Sequence, residues 1–136
     1  MKVSGGRGMT LFEVLVATLV FIVALSALSE GVLKVVELID IARCQTIAVG
    51  DLGNILEKIR ATSFDAVTTL FPAGDVDGPP SNPYINITGG YALGNEHITV
   101  SYPDPNDDPL EIAANITWQG KLGRTYTASL STIKTR

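Results

Sequence analysis

Hydrophobic and polar positions divide the chain into three regimes. Residues 9–29 are almost wholly apolar, and residues 14–29 carry no charge at all. Beyond Glu30 the apolar positions narrow to a stripe: Val32, Val35, Val36, Ile39, Ile41, Cys44, Ala48, Leu52, Ile55 and Ile59. Most of these recur at intervals of three and four, the helical period. Lys34, Glu37, Asp40, Arg43, Asp51, Glu57, Lys58 and Arg60 fill the gaps, and no proline occurs before Pro72. The pattern predicts one helix over residues 9–61, apolar all round in its first half and one-faced in its second. Gly31, Gly50 and Gly53 interrupt it, each weakening a helix by about 1 kcal/mol relative to Ala. Gly31 is placed for a local bend or melting just past the apolar run. Gly50 and Gly53 are expected to permit close packing against a sheet.

The third regime, residues 62–136, is polar and rich in turn formers. Glycines and prolines crowd residues 62–83, which predicts a loop. Strand signals follow at 84–88, 96–102, 110–118 and 124–133, with breakers at 103–109 and 119–123. Ile98, Val100 and Tyr102 alternate with His97, Thr99 and Ser101; Ile112, Ala114, Ile116 and Trp118 share one face, as do Tyr126, Ala128 and Leu130. Consecutive alternating strands with short links predict antiparallel hairpins. The expected fold class is therefore α+β: a long N-terminal helix laid across a small antiparallel sheet of three to four strands. Its parts are residues 1–8, a short basic lead; 9–30, the apolar half of the helix; 31–61, the amphipathic half; and 62–136, the loop and sheet. A length of 136 residues fits one small domain of that kind.

Read as a membrane segment, residues 9–29 rise about 31 Å as a helix, close to the hydrocarbon thickness of a bilayer. Lys2 and Arg7 precede the run, and positive flanks stay cytoplasmic, so the head is expected outside the cytoplasm. Glu13 is the anomaly, because an acid inside the bilayer is costly and tends to be functional. A secretory signal would end in a small-residue cleavage pattern. Ala24-Leu25-Ser26-Ala27 matches that only loosely, and the apolar run continues beyond it. A plain single-span anchor leaves Glu13 unexplained.

The stretch Gly8-Met9-Thr10-Leu11-Phe12-Glu13-Val14-Leu15-Val16-Ala17, behind a short basic leader, closely resembles the class III signal of type IV prepilins. The resemblance implies a membrane-embedded prepilin peptidase that cuts between Gly8 and Met9 and N-methylates the new terminus at Met9. Many pilins carry Phe where Met9 stands. It implies further that Glu13 meets the freed amine of a neighbouring subunit; a buried carboxylate is tolerable when so compensated. The implied partners are the peptidase, other pilin or pseudopilin subunits, an inner-membrane assembly platform and membrane lipid. The implied location is the inner membrane, then a pilus or a periplasmic pseudopilus. Leu56-Glu57-Lys58-Ile59-Arg60-Ala61, Ile116-Thr117-Trp118-Gln119-Gly120 and Leu130-Ser131-Thr132 resemble pilus-modification minor pilins more diffusely. I-type minor pseudopilins of type II secretion also begin Gly-Met-Thr-Leu. A minor pilin with a priming, tip or assembly-modifying role is the first expectation, a secretion pseudopilin the alternative, and a tip adhesin the second alternative.

Charge and candidate chemistry change this picture little. The formal charge is −4, and from residue 62 onward eight acids face four bases, so no basic face announces nucleic-acid binding. Cys44, the sole cysteine, excludes an intramolecular disulfide and falls on the helical stripe as a small apolar residue. Asp104, Asn106, Asp107 and Asp108 offer calcium-type oxygen ligands in a turn, but without EF-hand spacing. Asp75-Val76-Asp77-Gly78 resembles part of a calcium loop without completing one. His97, the single histidine, lacks a second ligand nearby in sequence. No nucleophile elbow or phosphate-binding glycine loop occurs, so neither an enzyme nor a cofactor is expected. Asn86 and Asn115 match the N-glycosylation acceptor pattern within predicted strands and are given no role. Trp118 is expected in the core or at the sheet edge.

Overall fold

A computed structural model describes residues 10–136. The chain divides into two compact units, Met1–Asp40 and Ile41–Arg136. Helix α1, Leu11–Ala61, runs through Gly31 without interruption and contributes to both. In the first unit, every large apolar side chain from Leu11 to Ile39 is exposed.

The second unit is the α+β head. The α1 residues Ala48, Asp51, Leu52, Ile55, Leu56 and Ile59 are buried, a stripe at steps of three and four as the sequence pattern requires. It packs on a three-stranded sheet of β1 (Gly94–Ser101), β2 (Leu110–Gln119) and β3 (Thr125–Lys134), in the order β1-β2-β3. Both pairings are antiparallel. β2 and β3 pair without a slip from Leu110↔Lys134 to Gln119↔Thr125, whereas β1 shifts register against β2 between Gly94 and His97. Ile98 and Val100 of β1 and Ile112, Ala114, Ile116 and Trp118 of β2 turn inward to the helix stripe. Each fully buried Ile or Leu contributes about 1.5–3 kcal/mol relative to exposure. The opposite sheet face carries polar cross-strand rows such as Thr99, Asn115 and Ser129.

The end of α1 is tied to β3. Lys134 Nζ donates to the Arg60 carbonyl at 2.8 Å, and Arg60 Nε and Nη2 donate to Thr132 Oγ1 at 3.0 and 2.6 Å. A cation on a last-turn carbonyl satisfies an acceptor the helix leaves open and complements the helix dipole.

The structure departs from the sequence expectations at three places. The strand expected at 84–88 is a single helical turn, α3 (Ile85–Thr88), closed by the Thr88 N–H on the Tyr84 carbonyl at 3.0 Å. Tyr84 is fully buried and stacks on Phe71 at 6.0 Å, so this segment is anchored by one ring rather than by a ladder. The loop expected at 62–83 holds a 3-10 turn, Phe64–Ala66, and a short helix α2, Val67–Leu70. Val67 and Phe71, one helical turn apart, both enter the core. Finally, Gly50 and Gly53 do not serve close packing: a Cβ at either meets nothing within 4 Å. They lie off the buried stripe.

Replacing Gly50 with Ala therefore removes backbone freedom without a clash. A gain of about 0.5–1 kcal/mol is expected for Gly50→Ala, read as a raised thermal unfolding midpoint of the head.

Candidate functional site

Of the three residues that the sequence marks for processing and assembly, Gly8 and Met9 lie outside the described residues. Glu13 stands at the first turn of α1. Its Oε2 accepts from the Thr10 N–H at 3.0 Å and from Thr10 Oγ1 at 3.1 Å. The Glu13 N–H in turn donates to Thr10 Oγ1 at 3.3 Å. This is a reciprocal capping box: Thr10 caps a helix that begins at Leu11, and Glu13 closes back onto it. The Thr-x-x-Glu spacing was visible in the sequence and carries this local role in addition to the one implied by the family signal.

The helix around and beyond Glu13 exposes large apolar side chains, among them Phe12, Leu19, Phe21 and Leu28, and carries no charge over residues 14–29. Among the described residues one helix, α1, is long and apolar enough to cross a membrane. Within its charge-free run, residues 14–29, the three hydroxyls turn back onto the helix. Thr18 Oγ1 donates to the Leu15 carbonyl, Ser26 Oγ to Ile22 and Ser29 Oγ to Leu25, each at 2.9 Å. Hydroxyls satisfied on their own helix need nothing from the surroundings, which is the condition hydrocarbon imposes.

In the head the candidate ligands separate. Asp104, Asn106, Asp107 and Asp108 are exposed, and the Asn106 N–H closes an Asx turn on Asp104 Oδ1 at 2.9 Å. Among the described residues no group of three or more His, Cys, Asp or Glu is arranged to hold a metal ion. Cys44 is half-buried against the core, and Trp118 is buried and stacked on Tyr126 at 5.7 Å. Asn86 lies on α3 and Asn115 on β2, paired with Thr99 and Ser129.

Asp77 and His97, far apart in sequence, are brought together. Asp77 Oδ1 accepts from the Ile98 N–H at 2.9 Å and from the Tyr91 hydroxyl at 3.0 Å, while Oδ2 lies 2.8 Å from His97 Nδ1. The Asp77 backbone adds a bond from its N–H to the Ile98 carbonyl at 2.8 Å and accepts from the Tyr84 N–H at 2.9 Å. Val76 forms an isolated bridge with Thr99, so this turn covers the outer edge of β1. Asp77 has φ +62°, and Gly78 follows at φ +78°. There a Cβ would strike the Tyr84 ring at 2.6 Å, so the turn demands glycine. Burial pushes the Asp77 carboxyl up, but the hydrogen bonds from His97, Ile98 and Tyr91 outweigh it and hold it below its ordinary value. Burial pushes the Tyr84 phenol up to about 12, aided by the charge of Asp75. The arrangement is a structural clasp on a strand edge, with an anion already engaged by three donors.

A folded-state pKa below the unfolded one gives stability that is present above the ordinary carboxylate range and lost as pH falls through the depressed value. Asp77→Ala is expected to cost about 1–3 kcal/mol at neutral pH, because it strands the Ile98 N–H. The gap in thermal unfolding between variant and wild type should narrow only as pH falls below the ordinary carboxylate range, where the native carboxyl takes up its proton.

No protein-family model, no curated protein and no solved structure matches this chain.

Proposed function

We propose that the chain is a type IV pilin-like filament subunit, cut between Gly8 and Met9 and assembled through its apolar helix. The observation that carries this reading is Glu13: one carboxylate at the first turn of an exposed apolar helix, held on Thr10 directly after Gly8-Met9. Hydrolysis of the Gly8–Met9 bond leaves a carboxylate on Gly8 and a new amine on Met9. That amine, N-methylated and cationic, is the natural counter-charge for Glu13 in a medium where neither ion is tolerable alone. In the unassembled subunit lipid covers the helix, with the N-terminus cytoplasmic and the head outside. In the filament neighbouring helices replace the lipid, and the Met9 amine of one subunit meets Glu13 of the next, fixing the axial register. The role is that of a minor subunit of a pilus; a secretion pseudopilus, which uses the same chemistry, is the alternative.

Co-expression with a prepilin peptidase tests this directly. Mass spectrometry should show loss of residues 1–8 and one added methyl group on Met9. Gly8→Ala should leave most of the precursor uncut. Glu13→Leu should be cleaved but assemble poorly, because removing one member of a buried pair costs about 3–5 kcal/mol. A mature chain that starts anywhere other than Met9 would overturn the reading.

A further inference from the structure

Two carboxyl groups are buried together inside the head. Asp51 on α1 is 8% exposed and Glu96 on β1 is 4% exposed. Glu96 Oε2 accepts from the Leu93 N–H at 3.1 Å, with a further backbone hydrogen bond from Ala92. Asp51 Oδ2 and Glu96 Oε1 are buried with no hydrogen-bond donor. Yet the two side chains are in hydrogen-bonding contact. Ionised carboxylates only accept, so two of them cannot bond unless a proton lies between them. One proton between the two side chains would allow the bond that two carboxylates cannot make.

The groups around the pair reinforce this. Asp77, from the turn on the β1 edge, adds its negative charge to the field at Glu96. Tyr91 faces both Asp77 and Glu96. His97 lies on the far oxygen of Asp77, 2.8 Å away, and so engages Asp77 rather than the pair. Burial first, then for Glu96 the charges of Asp51 and Asp77, push both carboxyls above their ordinary values, against the lowering effect of their hydrogen bonds.

We propose that Asp51 and Glu96 bind a single proton between them, and that this proton clasps α1 to β1 so that the head loosens as pH rises. With the proton in place the two side chains can bond and the pair carries one negative charge. Without it two anions are held in contact out of water, and repulsion acts on the helix–sheet interface. The sign is opposite to that of Asp77. Groups whose folded-state pKa is raised give stability that is present below the ordinary carboxylate range and lost as pH rises through the raised value. The inference concerns the head alone and stands whether or not the chain builds a filament.

The test is equilibrium unfolding of the head in the full chain, in detergent micelles, as a function of pH. As pH rises above the ordinary carboxylate range, the folded-to-unfolded ratio of the wild type should fall by up to about tenfold per pH unit, the limit for one linked proton. Asp51→Asn supplies a permanent N–H donor to Glu96 and should flatten that profile. The infrared carbonyl band of a protonated carboxylic acid should persist in the wild type where free carboxyls are ionised, and vanish in Asp51→Asn. If Asp51→Asn does not fold, Glu96→Gln and the wild-type infrared band decide the matter. An unchanged pH slope in the amide variants, or no acid band in the wild type, sinks the proposal. So does a wild-type profile flattened by millimolar calcium with Glu96→Gln unaffected, since the pair would then hold a cation instead.

Discussion

The chain is governed by an apolar surface that it does not cover itself. From Leu11 to Ile39 no large hydrophobic side chain is buried, while each such residue left in water forgoes about 1.5–3 kcal/mol. In length and composition the helix that carries this surface matches a membrane-crossing one. Across residues 14–29 the hydroxyls of Thr18, Ser26 and Ser29 are returned to their own helix, and the Glu13 carboxylate just before them is folded back on the helix cap.

The head solves a separate problem with few residues. About one third of α1 supplies an apolar stripe, and the sheet is only three strands wide, so both its edges matter. The β1 edge is covered by the turn around Asp77, which binds it by backbone, carboxylate and the Val76 bridge. The β3 side is linked instead to the end of the helix, through Lys134 on the Arg60 carbonyl and Arg60 on Thr132. These polar ties fix where the sheet lies under the stripe, while Ile55, Ile59, Ile98 and Ile116 provide the burial.

The helix stripe and the three strands of the head were legible because they repeat: Ala48, Leu52, Ile55 and Ile59 keep the helical period, and residues 98–100, 112–118 and 126–130 alternate. What repetition does not encode was missed. The segment at 84–88 has strand-like residues, but a single buried ring, Tyr84, decides its shape. Gly50 and Gly53 suggested close packing, but the face they occupy is set by the register of the stripe, and it is the open one. The partners of Asp77 lie 14, 20 and 21 residues away, so no local pattern announces them. The capping box is the converse case, a four-residue signal from Thr10 to Glu13 that the sequence spells out in full.

The stacking of Trp118 on Tyr126 has a practical side. Trp118 is the only tryptophan in the chain, and it is buried in the second unit. Its intrinsic emission therefore reports on the head alone and is blind to whether the first unit sits in lipid, in detergent or against other helices. Folding of one part can be followed optically while the other remains in its native surroundings, without any label.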